Sequence, residues 1–227
     1  MSRTSIETVT GQFLDFANPT AKMITVEAIA WGLSRQPRFC GQTVSEFPYS
    51  VAQHSVHVMN LIEAAMTPGS HTNFMVQQLQ NPDLHSYLST PSQLKKDRRL
   101  ATLLGLFHDG SEAFLCDIPT PAKRLPGLME AYGAVESRLM RAIHDSIKVD
   151  QASITPEIQA IVHWADQYAL SIEALHLVPS RGASDQWAFL LEPAAIDVLM
   201  WGCPVSSSRE AFELFMIAYQ TFPSDSE

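Results

Sequence analysis

The sequence predicts an all-α bundle, on three observations. Apolar residues recur at three- and four-residue spacing from residue 25 onward, helix-start signals stand ahead of several of these stretches, and alternating strand-like patterns are scarce. The 227 residues suffice for one domain with a sizeable core.

Thr25 ahead of Val26-Glu27-Ala28-Ile29-Ala30 reads as the N-cap of a helix running to about Gln36. Residues 49–66 form the next, with Val51, Val58, Leu61, Ile62 and Ala65 on one side. Leu100, Leu103, Leu104 and Phe107 carry the same spacing into the dipeptide His108-Asp109, and a shorter segment, Ser111–Cys116, follows Gly110. Met129, Tyr132, Val135, Leu139, Ile143 and Ile147 mark a long amphipathic helix. Thr155-Pro156-Glu157 places an N-cap before a proline at the first helical position, opening a helix to about Leu177. Ser207 and Glu210 form a capping box ahead of Phe212, Phe215, Met216 and Tyr219 in the last helix.

Two stretches interrupt the pattern. Residues 67–94, rich in Thr, Ser, Pro, Asn and Gln, read as a long surface insertion with a short helix near Phe74–Leu79. Residues 179–193 read as a second irregular connection. Candidate site residues fall on both sides of each, so the expected organisation is a single domain over 1–227.

A composition of 46% apolar and 17% charged residues is that of an ordinary soluble globular protein. No apolar run approaches the roughly 20 residues that span a bilayer, so no membrane association is expected. The start, MSRTSIETVTGQF, lacks the apolar region of a secretory signal. Cys40, Cys116 and Cys203 are odd in number and widely spaced, which argues against a disulfide framework and fits a reducing cytoplasm. A net charge of -9 repels polyphosphate backbones, so no nucleic-acid polymer is expected as partner. A small anion is still compatible, because a metal and a few local cations can reverse the field inside one pocket.

The chemistry-bearing residues are His54, the pair His108-Asp109, and Asp166, each within a predicted helix or at its end. Imidazole nitrogens and carboxylate oxygens together suit a divalent transition metal, and two of each neutralise the cation while leaving positions open. Such a metal activates water and polarises a phosphoryl group. Singly these residues say little, since a lone helix histidine is most often a packed or exposed one.

The surrounding segments carry more. They are I-x-V-E-A-I-A-W-G-L-S (24–34), R-F-C-G (38–41), Y-S-V-A-Q-H-S-V (49–56), L-F-H-D-G-S-E-A-F (106–114), D-I-P-T-P-A-K (117–123) and A-D-Q-Y-A-L (165–170). In these segments and their order the chain resembles the HD-domain phosphohydrolases, in the branch of the bacterial 5'-deoxynucleotidases. Its wording is most similar to the dATP triphosphohydrolases of phages that replace adenine with 2-aminoadenine. Weaker similarity continues through Trp187, Glu192-Pro193 and the last helix.

The resemblance implies an HD-domain helical bundle with the metal site between helices, and a homo-oligomer acting on a small deoxynucleotide in the cytoplasm, that of a bacterial host if a phage encodes the chain. It assigns His54, His108, Asp109 and Asp166 as ligands of Zn²⁺, Co²⁺ or Mn²⁺. Glu112 becomes the acid/base that orients the attacking water, and Asp117 a second carboxylate that assists catalysis or holds the sugar, unless it only forms a turn. Arg38 and Lys123 become phosphate contacts. Phe39 either stacks on base or sugar or packs into the core. His57 and His163, each one turn from a ligand, are expected to be packed or exposed, and Lys95, Lys96, Arg98 and Arg99 to form a solvated helix face. Two reactions share the bond to be broken: release of triphosphate from a dNTP, dATP foremost, or of phosphate from a dNMP. A non-catalytic nucleotide-binding module and a hydrolase of alarmones or cyclic nucleotides are the alternatives from other classes.

Overall fold

A computed structural model describes residues 4–73 and 87–222. They form an all-α bundle preceded by one small hairpin. The helix expected near Phe74–Leu79 lies outside the described residues.

The hairpin pairs β1 (Ser5–Glu7) with β2 (Phe13–Asp15) in antiparallel register, Ile6 opposite Leu14. Sequence patterning did not announce it: each strand has three residues, and of the six only Leu14 is buried. The helices α1 (Val26–Arg35) and α2 (Val51–Ala65) follow. Thr25 caps α1 by accepting from the Ala28 amide, and Ser50 and Gln53 close a capping box on α2. Next come α3 (Pro91–Phe107), α4 (Glu112–Leu115) and α5 (Thr120–Lys123). The long α6 (Leu128–Ser146) and α7 (Pro156–Leu177) precede α8 (Ala195–Met200) and α9 (Ser208–Gln220). The one-turn helices α5 and α8 are too short to display a period, and the sequence reading passed over both.

The central element is α2, buried along most of its length and packed against α1, α3, α7 and α9. Phe107 from α3 meets Phe215 and Tyr219 of α9 edge to face, which seats the His108-Asp109 end of α3 in the core. The second irregular stretch is confirmed as a loop holding one 3₁₀ turn at Asp185–Trp187. At the described ends of the expected insertion, Tyr87, Leu88 and Leu94 are buried, and residues from Pro91 onward already belong to α3. No helix among the described residues is long and apolar enough to cross a membrane.

Gly32 sits where α1 crosses the backbone of Ala113, the neighbour of Glu112; a methyl at Gly32 would collide with that backbone. Glycine inside a helix sacrifices about 1 kcal/mol of propensity relative to alanine. Overpacking against an immovable backbone costs roughly 1–3 kcal/mol. The steric term wins, so Gly32→Ala should lower the urea midpoint of unfolding, whereas a rise would show that α1 can retreat from α4.

Candidate metal centre

Four side chains from three elements meet at one point. His54 comes from the middle of α2, His108 and Asp109 from the end of α3, and Asp166 from α7. The ligand atoms of His54, His108 and Asp109 all lie within 4.8 Å of one another. The two Nε2 atoms are 3.2 Å apart, and Asp109 Oδ2 is 3.1 Å from that of His108 and 3.6 Å from that of His54. Asp166 flanks the same pair, its Oδ1 3.1 Å from His54 Nε2 and 3.8 Å from His108 Nε2.

Each ring offers Nε2 because its Nδ1 is occupied elsewhere. His54 Nδ1 donates to Glu173 Oε1 at 2.6 Å, and His108 Nδ1 donates to the Gly105 carbonyl at 2.8 Å. Such bonds fix the tautomer and aim of a metal-ligating imidazole. Burial opposes charge on both rings, yet the carboxylates outweigh it. Glu173 and Asp166 raise the His54 pKa, and Asp109 and Asp166 lift that of His108 well above the usual value. Burial likewise works against ionised Asp166, but hydrogen bonds from His108 and His54 hold its pKa far below the usual range. The centre therefore draws positive charge to the point where the two Nε2 atoms and the two carboxylates converge. Without a metal, protons on the imidazoles supply it, and a divalent cation fits the same donor set.

Glu173 is the functional residue that sequence reasoning missed. It is fully buried on α7, two turns after Asp166, and accepts from His54 and from Arg38, whose Nε and Nη2 lie 3.2 and 3.1 Å from Oε2. Burial pushes its pKa up, but Arg38 and His54 hold it far below the carboxylate norm. Its only signal in the sequence was a carboxylate sharing the face of Asp166 among apolar neighbours. His57 is buried behind it, with Nδ1 3.8 Å from Glu173 Oε1, too far for a hydrogen bond. His163 is exposed on a cleft of about 380 Å³ between α3, α6 and α7, lined also by His108, Asp166, Leu104, Met140 and His144.

The remaining candidates surround the centre. Arg38 follows α1 in a short turn and puts Nη1 3.7 Å from Asp109 Oδ2. Phe39 is half-buried beneath the Arg38 guanidinium, 5.7 Å from it, and is not a core residue. Glu112 is buried on α4, one of its oxygens without a hydrogen-bond partner. Burial, with Asp109 and Asp117 nearby, pushes its pKa up to about 9 despite Arg38 and Lys123. Burial also raises the Asp117 carboxyl, which Arg38 partly offsets. Lys123 Nζ stands 3.7 Å from Glu112 and 3.6 Å from Glu136 and lies over the Tyr132 ring. Lys95, Lys96 and Arg99 are exposed on α3, and Arg98 pairs with Glu63, so that cluster lies along a solvated face as expected.

Because His54 and His108 carry raised pKa values in the metal-free protein, a divalent cation must displace protons from them. Zn²⁺ affinity measured by competition should climb as pH rises through those values, and binding in weak buffer should release protons. An affinity indifferent to pH, with no proton release, would place the cation elsewhere.

No model of a known protein family matches the chain. An uncharacterized protein of Rhodobacter capsulatus is similar to it, with 30% identity over 175 residues that cover 77% of this chain and 73% of the relative. The chain belongs to one family with this Rhodobacter capsulatus protein.

Proposed function

We propose that the protein is a metal-dependent phosphohydrolase of the HD type, acting on a deoxynucleotide. The observation that carries this reading is the convergence of His54, His108 and Asp109, flanked by Asp166, beside the buried Glu112 carboxyl, whose pKa is raised. A divalent ion at such a centre lowers the pKa of water and stabilises charge on a phosphoryl oxygen.

The chain's own groups divide the remaining work. Glu112, its pKa raised to about 9, is suited to give its proton to the leaving 5'-oxygen, and the carboxylate so formed takes one back from the attacking water. Arg38 is held with its fork between Glu173 and Asp109, so Nη1 meets a non-bridging oxygen without reorganising. Lys123 holds Glu112 from the other side and lends it positive charge. Asp117, half-buried and near Arg38, is suited to accept from a sugar hydroxyl. The resemblance favours a dNTP triphosphohydrolase preferring dATP over a 5'-deoxynucleotidase, and both break the bond between α-phosphorus and 5'-oxygen.

Product analysis tests the reading. Protein loaded with Co²⁺, Mn²⁺ or Zn²⁺ should convert dATP to deoxyadenosine and triphosphate; phosphate from dNMPs alone would make it a 5'-nucleotidase. Inactivity on every nucleotide, with no metal bound, would leave a binding module. His108→Ala and Asp109→Ala should lose both metal and turnover. Glu112→Gln should keep the metal and lose roughly 10²–10⁴-fold in kcat, the usual contribution of a general acid–base group. Near-normal kcat in that variant would remove Glu112 from the reaction.

A further inference from the structure

Beyond the metal centre, the contacts continue outward along a line of planar side chains. Asp109 meets Arg38, and Arg38 lies over the Phe39 ring. Phe39 meets Trp187 edge to face at 6.3 Å, and Trp187 adjoins Phe189 at 5.9 Å with their planes 38° apart. Trp187 is half-buried, and Phe189 is 62% exposed. Phe189 is one of several large apolar side chains left open among the described residues, and it is the one that adjoins Trp187.

The backbone on the inner side is also out of the ordinary. Phe39, Cys40 and Gly41 take φ values of 55°, 53° and 72°, three left-handed residues in succession, two of which carry side chains. A non-glycine residue held there is strained and persists only where the surroundings impose it. The turn is what sets the Phe39 ring between Arg38 and Trp187. Arg181, also left-handed at φ 48°, lies in the loop that carries Trp187 and Phe189.

We infer that Trp187 and Phe189, with Phe39, form a stacking wall for the nucleobase of the substrate, extending outward from the phosphate end of the site at Arg38. The order metal, guanidinium, inner ring and outer rings follows the order phosphate, sugar and base in a nucleotide. This assignment rests on the phosphohydrolase reading for its phosphate end, but a base can stack on these rings with no metal or phosphate present. Aromatic stacking is tolerant of base identity, since every base has a π face. The wall therefore selects a nucleotide over a simple sugar phosphate and leaves the choice among bases to other groups.

The test uses the full chain in two arms. In the first, metal-free protein is titrated with 2'-deoxyadenosine, which has no phosphate, while tryptophan fluorescence is followed. Wild type should show saturable quenching. Trp187→Phe should lose that signal yet retain affinity by calorimetry, and Trp187→Ala and Phe189→Ala should each weaken binding on the order of tenfold. In the second arm, the metal-loaded enzyme is given a deoxynucleotide and, separately, 2-deoxyribose 5-phosphate. Trp187→Ala should raise KM for the nucleotide about tenfold relative to KM for the sugar phosphate, with Trp187→Phe restoring the ratio. Unaltered deoxyadenosine affinity in folded Trp187→Ala and Phe189→Ala would overturn the assignment. Deoxyadenosine binding that depends on these rings, in a protein that hydrolyses neither ester, would sustain the wall and reject the phosphohydrolase reading.

Discussion

Glu173 is a carboxylate with no solvent exposure that joins three parts of the chain: its own helix α7, His54 on α2, and Arg38 in the turn after α1. Removing such charges from water costs several kcal/mol per ion, and only close pairing with well-formed hydrogen bonds offsets it. Here the pairing is close, with the Arg38 fork on one oxygen and an imidazole on the other. The position of the Arg38 turn and the direction of the His54 ring both follow from that pairing. Loss of either partner leaves one oxygen of the buried carboxylate without its hydrogen bond, and breaking a buried pair in this way is strongly destabilising.

The long helices were legible because their signals are local. Thr25, Thr155 and Ser207 each accept from a backbone amide three residues on, as their positions before apolar runs suggested. The hairpin and the one-turn helices α5 and α8 were not, because three to six residues cannot express a period. At the site, the segments that carry the resemblance named candidate residues but carried no distances. Glu173 was hidden for a different reason: a glutamate in a helix is solvated by default, and its burial depends on Arg38, far away in the chain. The left-handed turn at Phe39 and Cys40 was equally hidden, since neither residue type favours that conformation.

Positive charge is scarce at the centre, and its imidazoles and the Glu112 carboxyl respond in the same direction. Asp109, Glu112, Asp117, Asp166 and Glu173 are gathered near two cations among the described residues, Arg38 and Lys123, and each already lies between two carboxylates. The shortfall of positive charge makes the histidines hold protons more tightly, and at Glu112 burial, with Asp109 and Asp117 beside it, keeps the proton on the carboxyl. A cation at the centre relieves both at once. The acidity of the whole chain is thus compatible with an anionic ligand only through that one local reversal.

The two imidazoles owe their orientation to partners of different kinds. His54 is held by a side chain, Glu173, and His108 by the main-chain carbonyl of Gly105, one turn back on its own helix. A carbonyl is present whatever residue occupies position 105, so substitution cannot delete the second restraint, whereas a single codon change can weaken the first. One ring of the pair therefore has a basicity that mutation can adjust through position 173, and the other has a basicity inherited with its helix.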